Sequence, residues 1–467
     1  MDIQVGPRRR NNRRRIDRPA MFGLILVLIL GLVGPDLNPA VAAASTSPNS
    51  VVHWNIIAVN TSITVGRQSI PQSQVYLARV QAAVYNAVVA IEGQYQPYKS
   101  SLAPRPGASV DAAVAAAAHA ILVNDFPSQQ ADLDEEYAAA LQDIPDGDAK
   151  TAGVEVGEAA ADELLALREG DGLEADIGFV MPQPAPGVWQ LPPGVAPLTP
   201  WVSQMRPYLL KSPSQFRPGP PPELDSHAWA KEYEEVRLMG QKDSPYRTAE
   251  QTDIALFWTM QDILMYNNAF QEIAQDPGRR LDAVEAARLF AIGNLVGADS
   301  LIACFDAKYH YLFWRPAFSI PAGDSDGNPG TIPDPTWLPL LNTPPHPEYP
   351  SAHSCHTAAM AESLVTFFGT QRINLELKST VPGLIQPTRH YKYARDLVKE
   401  IIDARVWGGI HYRGSDVNGT ILGRKVAKWA LQRYFLPVGE GGKHSDAFGM
   451  ERLWLPLLSN PIGAKFR

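Results

Sequence analysis

Apolar residues recur every three or four positions along much of the chain, which is the spacing of one face of an α-helix. The longest such stripe runs from Leu281 to Ala307 and consists of Val284, Ala287, Ala291, Leu295, Ala298, Ile302 and Phe305. Shorter helical patterns occupy residues 73–93, 110–123, 135–141, 149–168, 223–239, 249–275, 354–368, 392–407 and 416–434. Few stretches have the alternation expected of strands, so the pattern predicts a largely helical chain.

Two long stretches lack this periodicity and are rich in turn-forming residues. Residues 182–222 contain thirteen of the 41 prolines, together with Trp189 and Trp201. Because flexible linkers rarely carry aromatic groups that gain from burial, we expect this segment to lie irregularly against the domain surface. Residues 320–345 are also turn-rich and include a run with the composition of a calcium-binding loop. That run lacks the acidic ligand at the twelfth position, so we expect an ordinary loop.

The N-terminus has the three parts of a secretory signal. Arginines at positions 8, 9, 10, 13, 14, 15 and 18 precede an apolar run from Met21 to Gly34, and Ala40-Val41-Ala42 offers small residues for cleavage. We therefore expect residues 1–44 to be a signal and leader, and the mature chain to be secreted to the periplasm or the medium. An uncleaved anchor is the alternative, and it would be the chain's only membrane association.

The net charge of the 467-residue chain restricts its partners, and its two cysteines allow at most one disulfide. A net charge of −8 gives no electrostatic footprint for nucleic acid over the whole chain, so an anionic ligand would need a local basic cluster. The two cysteines, Cys304 and Cys355, could form one disulfide or remain as buried free thiols.

Residues 344–356 read Pro-Pro-His-Pro-Glu-Tyr-Pro-Ser-Ala-His-Ser-Cys-His and hold three of the ten histidines. The prolines keep this approach non-helical, and a helical pattern follows Ser351. The Ser351 hydroxyl and the backbone N–H groups of Ala352 and His353 would form an oxyanion site at the helix start, beside which His353 could act. Taken alone, the segment is equally compatible with a capped helix and surface histidines.

Two further segments could add positive charge to this site. Lys308 and Arg315 bracket an aromatic stretch after the long apolar stripe, and Arg405 precedes His411 by six positions. A multiply charged tetrahedral oxyanion requires several cations together with hydroxyl and amide donors, because these replace its lost hydration. Taken singly, Lys308 is explained by a helix C-terminal cation, and Arg315 and Arg405 by surface ion pairs.

The three segments together resemble a tripartite signature, Lys-x6-Arg-Pro, Pro-Ser-Gly-His and Ser-Arg-x5-His-x3-Asp. Vanadium-dependent haloperoxidases share it with type 2 phosphatidic acid phosphatases. Lys308 and Arg315-Pro316 match the first part, His353 closes the second, and Arg405 with His411 keeps the spacing of the third. The aromatic residues before Arg315 and the Pro-x-Tyr before Pro350 favour the haloperoxidase branch.

Three positions depart from the signature. Ala352 replaces a glycine but keeps the backbone N–H, so we expect a tighter pocket. Ala404 replaces a serine. Asp416 lies one residue later than the family's aspartate, so we expect it to cap the last helix and leave its role in steadying the site open.

The resemblance implies an all-α fold in which ten or so helices pack as bundles in one domain over residues 45–467, with the anion site within residues 300–435. It implies vanadate as cofactor, with neither haem nor nucleotide, bound through a ring nitrogen of His411. It further implies acid–base catalysis by His353 and polarisation of peroxide by Lys308. Hydrogen bonds to the vanadate oxygens are implied from Lys308, Arg315, Ser351, the Ala352 amide and Arg405.

The implied reaction oxidises halide with hydrogen peroxide to hypohalous acid, which halogenates an organic acceptor. His346 stands where chloride- and bromide-oxidising members of the family differ between Phe and His, which favours bromide; a solvent-facing loop histidine is the alternative. The expected partners are therefore small molecules and no nucleic acid, and the oligomeric state is left open.

Two other functions use the same residues. An exported acid phosphatase would use His411 to attack phosphorus and His353 to protonate the leaving oxygen. A helical phosphate-binding protein without turnover would need the cations but no proton donor.

Overall fold

The computed structural model describes residues 49–279 and 281–439. In this part of the chain the α-helices, numbered in order, are α1 Ser50–Val59, α2 Ile70–Glu92, α3 Val110–Asp125, α4 Gln130–Gln142, α5 Asp148–Arg168, α6 His227–Met239, α7 Ala249–Phe257, α8 Asp262–Gln275, α9 Ala283–Tyr311, α10 Pro316–Ser319, α11 Ala352–Phe368, α12 Ala394–Trp407 and α13 Arg413–Leu431. The prediction of an all-α fold is confirmed. The predicted signal and leader lie outside the described residues, and the single-domain organisation stays a prediction.

Helix α9 is the central element, because its side chains are buried on nearly every face. Asp282 caps its start by accepting a hydrogen bond from the Glu285 amide, and Lys308 lies in its last turn. By length and composition alone α9 could cross a bilayer. However, 94% of its most apolar 18-residue stretch is buried inside the structure, as in a core helix. The predicted apolar stripe is confirmed, and the helix carries Lys308 to the protein interior.

Small residues allow the helices around α9 to approach closely. On α5, a Cβ atom added at Gly153 or Gly157 would overlap backbone oxygens of α3. On α13, a Cβ at Gly419 or Gly423 would overlap backbone oxygens at the start of α11. The second of these contacts fixes the first turn of α11 against α13.

The proline-rich segment lies against the helical core, as predicted. Trp189 is fully buried, and the segment contains only short 3₁₀ turns at Pro200–Gln204 and Pro213–Phe216. Three successive backbone amides, those of Tyr208, Leu209 and Leu210, donate to the carboxylate of Asp299 on α9 at 2.6–2.8 Å. The segment is therefore part of the packed structure.

Three elements differ from the sequence predictions. Helix α1 was not predicted as a helix, yet Trp54 is buried and Asn55 donates to Asn267 on α8 at 3.0 Å. The pattern over residues 249–275 forms two helices, because the Trp258 carbonyl accepts from Arg405 at 3.0 Å where a continuous helix would use it internally. An antiparallel hairpin of β1 Arg372–Lys378 and β2 Thr388–Tyr393 was missed.

The missed hairpin had a recognisable signal. Ile373, Leu375 and Leu377 alternate with polar residues and are all buried, which is the period of a half-buried strand. Its second strand also takes the first two residues of the helix predicted over 392–407.

Candidate functional site

Lys308 is the first of the predicted cations, and it is completely buried at the end of α9. Its ammonium group donates to the backbone oxygens of Pro347 and Glu348 at 2.8 and 2.9 Å. The proline-rich approach predicted from the sequence thus presents carbonyl groups to Lys308, because proline keeps this backbone out of a helix.

Arg315, just before α10, joins all three motif segments. Its guanidinium donates to the His346 oxygen at 3.0 Å and to the Ile410 oxygen at 2.7 Å. One of its nitrogens, Nη1, lies 3.1 Å from Nε2 of His411. A planar group with several fixed donors suits this position, whereas the single ammonium group of a lysine could reach only some of these acceptors.

His411 is buried between Arg315 and a carboxylate that the sequence predictions omitted. Its Nδ1 lies 2.8 Å from Oε1 of Glu348, and the same oxygen accepts from the Tyr412 amide at 3.0 Å. Glu348 is the sole acidic residue of the 344–356 segment. An acid placed among prolines beside a candidate site was the signal that could have identified it.

The helix start predicted after Ser351 is present. Ser351 is the residue preceding the helix, its amide donates to the Ser415 oxygen at 3.1 Å, and Ala352 is buried as the first helical residue. The buried Ser351 hydroxyl has no hydrogen-bond partner among the described residues. His353 is only partly buried, so its ring lies nearer to solvent than the other predicted site residues.

Arg405 enters the cluster from α12. Its Nη1 donates to the Trp258 oxygen, and it is 3% exposed. Its Nε has no hydrogen-bond partner in the part of the chain that the structure describes. Arg405 and Ser351 therefore each keep a buried polar atom free, and such atoms are costly unless a ligand completes them.

The electrostatics of the cluster are those of charges held away from water. Burial lowers the pKa of Lys308 to about 7 and that of Arg315 and Arg405 to about 10. Burial and the charge of Arg405 lower the pKa of His353 to about 3. For His411 the pKa falls well below its usual value through burial and the charges of Arg315, Lys308 and Arg405. The charges of the predicted cations thus act on the predicted histidines.

Two buried carboxyl groups lie among these cations. Burial raises the pKa of Glu348 to about 8, against the opposing effect of Arg315 and Lys308. It raises the pKa of Asp416 to about 7, against the hydrogen bond from the Ser354 hydroxyl and the charge of Arg405. Cations and carboxyl groups thus share one dry region, whose remaining positive charge a bound oxyanion would neutralise.

The expectation that Asp416 caps the last helix is wrong. Tyr412 occupies the cap position of α13, while Asp416 lies inside the helix and accepts from the Ser354 hydroxyl at 2.8 Å. The hydrogen bond ties α13 to α11 beside the oxyanion position. The physical reason is that α13 already begins at Arg413, so Asp416 lies within the helix and not at the position before it.

A second residue absent from the predictions is Asp262, in the first turn of α8. Its Oδ2 lies 2.8 Å from Nδ1 of His356, one turn beyond His353 on α11. Burial would raise its pKa, but His356 and His353 lower it to about 2. Asp262 therefore remains ionised down to about pH 2. It lies far from the histidines along the chain, so no local sequence pattern indicated the pairing.

The two cysteines are buried free thiols and do not form a disulfide. The Cys304 thiol donates to the Pro350 oxygen at 3.5 Å, and that of Cys355 to the Ser300 oxygen at 3.2 Å. They pack α9 against α11 directly behind the site. Of the alternatives left open by the sequence, the free thiols are confirmed.

Comparisons with known proteins converge on one family. Residues 288–438 match the family described as the VCPO second helical-bundle domain. A vanadium chloroperoxidase from Curvularia inaequalis is 25% identical over 234 residues, which are 38% of this chain and 37% of that protein. The match thus spans little more than a third of the curated relative's length.

Solved structures agree with the observed fold. A bacterial vanadium-dependent iodoperoxidase superposes with a TM-score of 0.66 at 24% identity, covering 83% of this chain and 96% of its own. A holo-type bacterial vanadium-dependent chloroperoxidase gives 0.64 at 18% identity, covering 80% and 93%. Residues 288–438 therefore match the second helical-bundle domain of this family, and the helical fold around them is the fold of the vanadium-dependent haloperoxidases.

Proposed function

We propose that the protein is a vanadium-dependent haloperoxidase, which uses hydrogen peroxide to oxidise halide to hypohalous acid. The observation that carries the proposal is the buried cluster of Lys308, Arg315 and Arg405, which lies beside the start of α11 with the Ser351 hydroxyl and Arg405 Nε unpartnered. A protein built only for stability would not keep such groups dry and incompletely bonded.

The residues present fit vanadate. His411 Nε2 can accept a hydrogen bond only as an unprotonated nitrogen, which is the form that binds a metal. The oxygens would be held by Lys308, Arg315, Ser351, the Ala352 amide and Arg405. When bound, vanadate supplies a Lewis-acidic centre that binds peroxide and makes it electrophilic toward halide.

The chain contributes charge neutralisation and proton transfer. The three cations and the α11 N-terminus bind and orient the oxyanion, and their burial excludes water. With a pKa near 3 in the anion-free cluster, His353 is neutral and can take a proton from peroxide at a ring nitrogen. A bound oxyanion opposes the charge of Arg405, so it raises the pKa of His353 toward the working pH.

We also propose bromide as the preferred halide. His346 is buried: its ring packs on Phe305 with centroids 5.4 Å apart, and its Nδ1 lies 3.0 Å from Arg315 Nη2. His346→Phe removes this polar contact and should move halide preference toward chloride, measured as the ratio of kcat/KM for the two halides. An unchanged ratio would remove the argument for bromide.

The deciding experiment uses protein freed of bound anion. Bromination of a phenolic dye by peroxide and bromide is followed with and without orthovanadate, in parallel with hydrolysis of a phosphomonoester. We expect bromination that requires vanadate and is competed by phosphate. Phosphatase activity that vanadate inhibits, without bromination, would assign the site to acid phosphatase chemistry instead.

A further inference from the structure

We propose that Glu348 is the positioning residue of this site, because its hydrogen bond to Nδ1 holds the His411 ring with Nε2 unprotonated and directed at the cofactor position. The inference deepens the proposed function and rests on it, since His411 serves there as the nitrogen donor. Glu348 lies outside the residues that the motif resemblance assigns to the site.

Hydrogen bonds on opposite sides of the ring define the tautomer. Arg315 Nη1 lies 3.1 Å from Nε2, and a guanidinium has donors only, so Nε2 must accept and cannot carry a proton. The proton of the neutral ring is then on Nδ1, which lies 2.8 Å from Oε1 of Glu348. Glu348 accepts this proton's hydrogen bond.

The acceptor itself is held rigidly. Glu348 is completely buried, and its Oε1 also accepts from the Tyr412 amide at 3.0 Å. The two residues that donate to this oxygen are consecutive, so the carboxyl group fixes both the ring and the backbone that carries it. The Lys308 ammonium, bonded to the Glu348 carbonyl at 2.9 Å, ties the same residue to α9.

This arrangement has a known physical effect in metal sites. A histidine ligand whose second nitrogen donates to a carboxylate is fixed in tautomer and orientation, and loss of such a partner weakens metal binding by about 10- to 100-fold. An anion that only accepts hydrogen bonds from the site makes no bond to Nε2, so its affinity should not depend on the Glu348 acceptor. Vanadate and inorganic phosphate can therefore separate positioning from general damage.

The test compares Glu348→Leu, which removes the acceptor, with Glu348→Gln, whose amide oxygen can still accept from Nδ1 and the Tyr412 amide. Glu362→Gln is the matched control. Glu362, which lies on α11, is likewise a buried acid, and its carboxylate accepts a hydrogen bond from Arg424 at 3.3 Å. Affinities of the full chain for orthovanadate and for inorganic phosphate are measured separately by calorimetric titration.

We expect Glu348→Leu to weaken vanadate binding about 10- to 100-fold while phosphate binding changes little. Glu348→Gln should restore most of the vanadate affinity, and Glu362→Gln should alter neither. The ¹⁵N resonances of the His411 ring, identified by their loss in His411→Ala, should show a hydrogen-bonded Nδ1–H in the wild type and Glu348→Gln, and the loss of that hydrogen bond in Glu348→Leu.

Equal losses for vanadate and phosphate in Glu348→Leu, or an unchanged vanadate affinity, would overturn the assignment. So would a Glu348→Gln variant as weak as Glu348→Leu, since that would make charge and not hydrogen bonding the cause. The proposed function can fail separately. If the wild type brominates nothing but Glu348→Leu still weakens vanadate binding and spares phosphate binding, the positioning role stands without the haloperoxidase function.

Discussion

His353 differs from the other histidines of the site in what surrounds its ring. His346 and His411 are buried against Arg315, and His356 is paired with Asp262. His353 is partly exposed as a residue, and none of the hydrogen bonds described above involves its ring. A group that must exchange protons with incoming peroxide and with solvent needs this combination of access and freedom.

His353→Ala should therefore abolish turnover without removing the anion site. We expect a loss in kcat of about 10²- to 10⁴-fold, the usual contribution of general acid–base catalysis, with vanadate and phosphate affinities close to those of the wild type. His119→Ala is the control, because His119 pairs with Asp134 and stacks on Tyr137. Full activity in His353→Ala would exclude His353 as the acid–base group.

At the scale of elements, the site depends on how closely α11 approaches α13. Gly419 and Gly423 lie one turn apart on α13 and face the backbone of α11. The Ser354–Asp416 hydrogen bond and the Ser351 amide bond to Ser415 connect the same two helices. Helix α11 supplies the oxyanion position and α13 follows His411, so their separation sets the width of the site.

Gly423→Ala should push these helices apart. The new Cβ would overlap the Cys355 carbonyl and lie 3.1 Å from the Ala359 nitrogen, both backbone atoms that cannot rotate away. Alanine normally stabilises a helix relative to glycine, whereas overpacking costs about 1–3 kcal/mol. We expect lower stability in urea denaturation and weaker phosphate binding.

The control for this substitution is Gly219→Ala, where an added Cβ meets nothing within 4 Å. A Gly423→Ala protein as stable as the wild type, with unchanged anion affinity, would show that α11 and α13 can separate without cost.

For the molecule as a whole, stability depends on half-buried acids that connect distant elements. Glu232 on α6 lies against Gly414 in the first turn of α13. Burial raises its pKa from 4.5 to about 7, assisted by the charge of Glu235. Because the unfolded chain releases this proton at lower pH, Glu232 contributes stability that is complete below pH 4.5 and lost as pH rises through 7.

Glu232→Gln should remove this dependence. Since Glu232 is partly exposed, we expect the wild type to lose about 1 kcal/mol more than the variant between pH 4.5 and pH 8, from urea denaturation at several pH values. Parallel stability curves for the two proteins would mean that another group titrates in this window.

The sequence by itself determined the helical class and the identity of the cations. The stripe of α9 and the spacing of Lys308 with Arg315 and of Arg405 with His411 are local properties, set by helix geometry and by the motif. Burial of Trp189 and the helix start after Ser351 followed from the same local reasoning, because proline and aromatic residues restrict backbone and solvation wherever they occur.

Tertiary structure alone decided how these groups are joined. Glu348 meets His411 across 63 positions and Asp262 meets His356 across 94, and no local pattern specifies such pairs. The break between α7 and α8 and the placement of Asp416 likewise depend on which distant donor reaches a carbonyl or carboxylate. The physical reason is that a buried polar group takes whichever partner packing brings to it, and packing is a property of the whole chain.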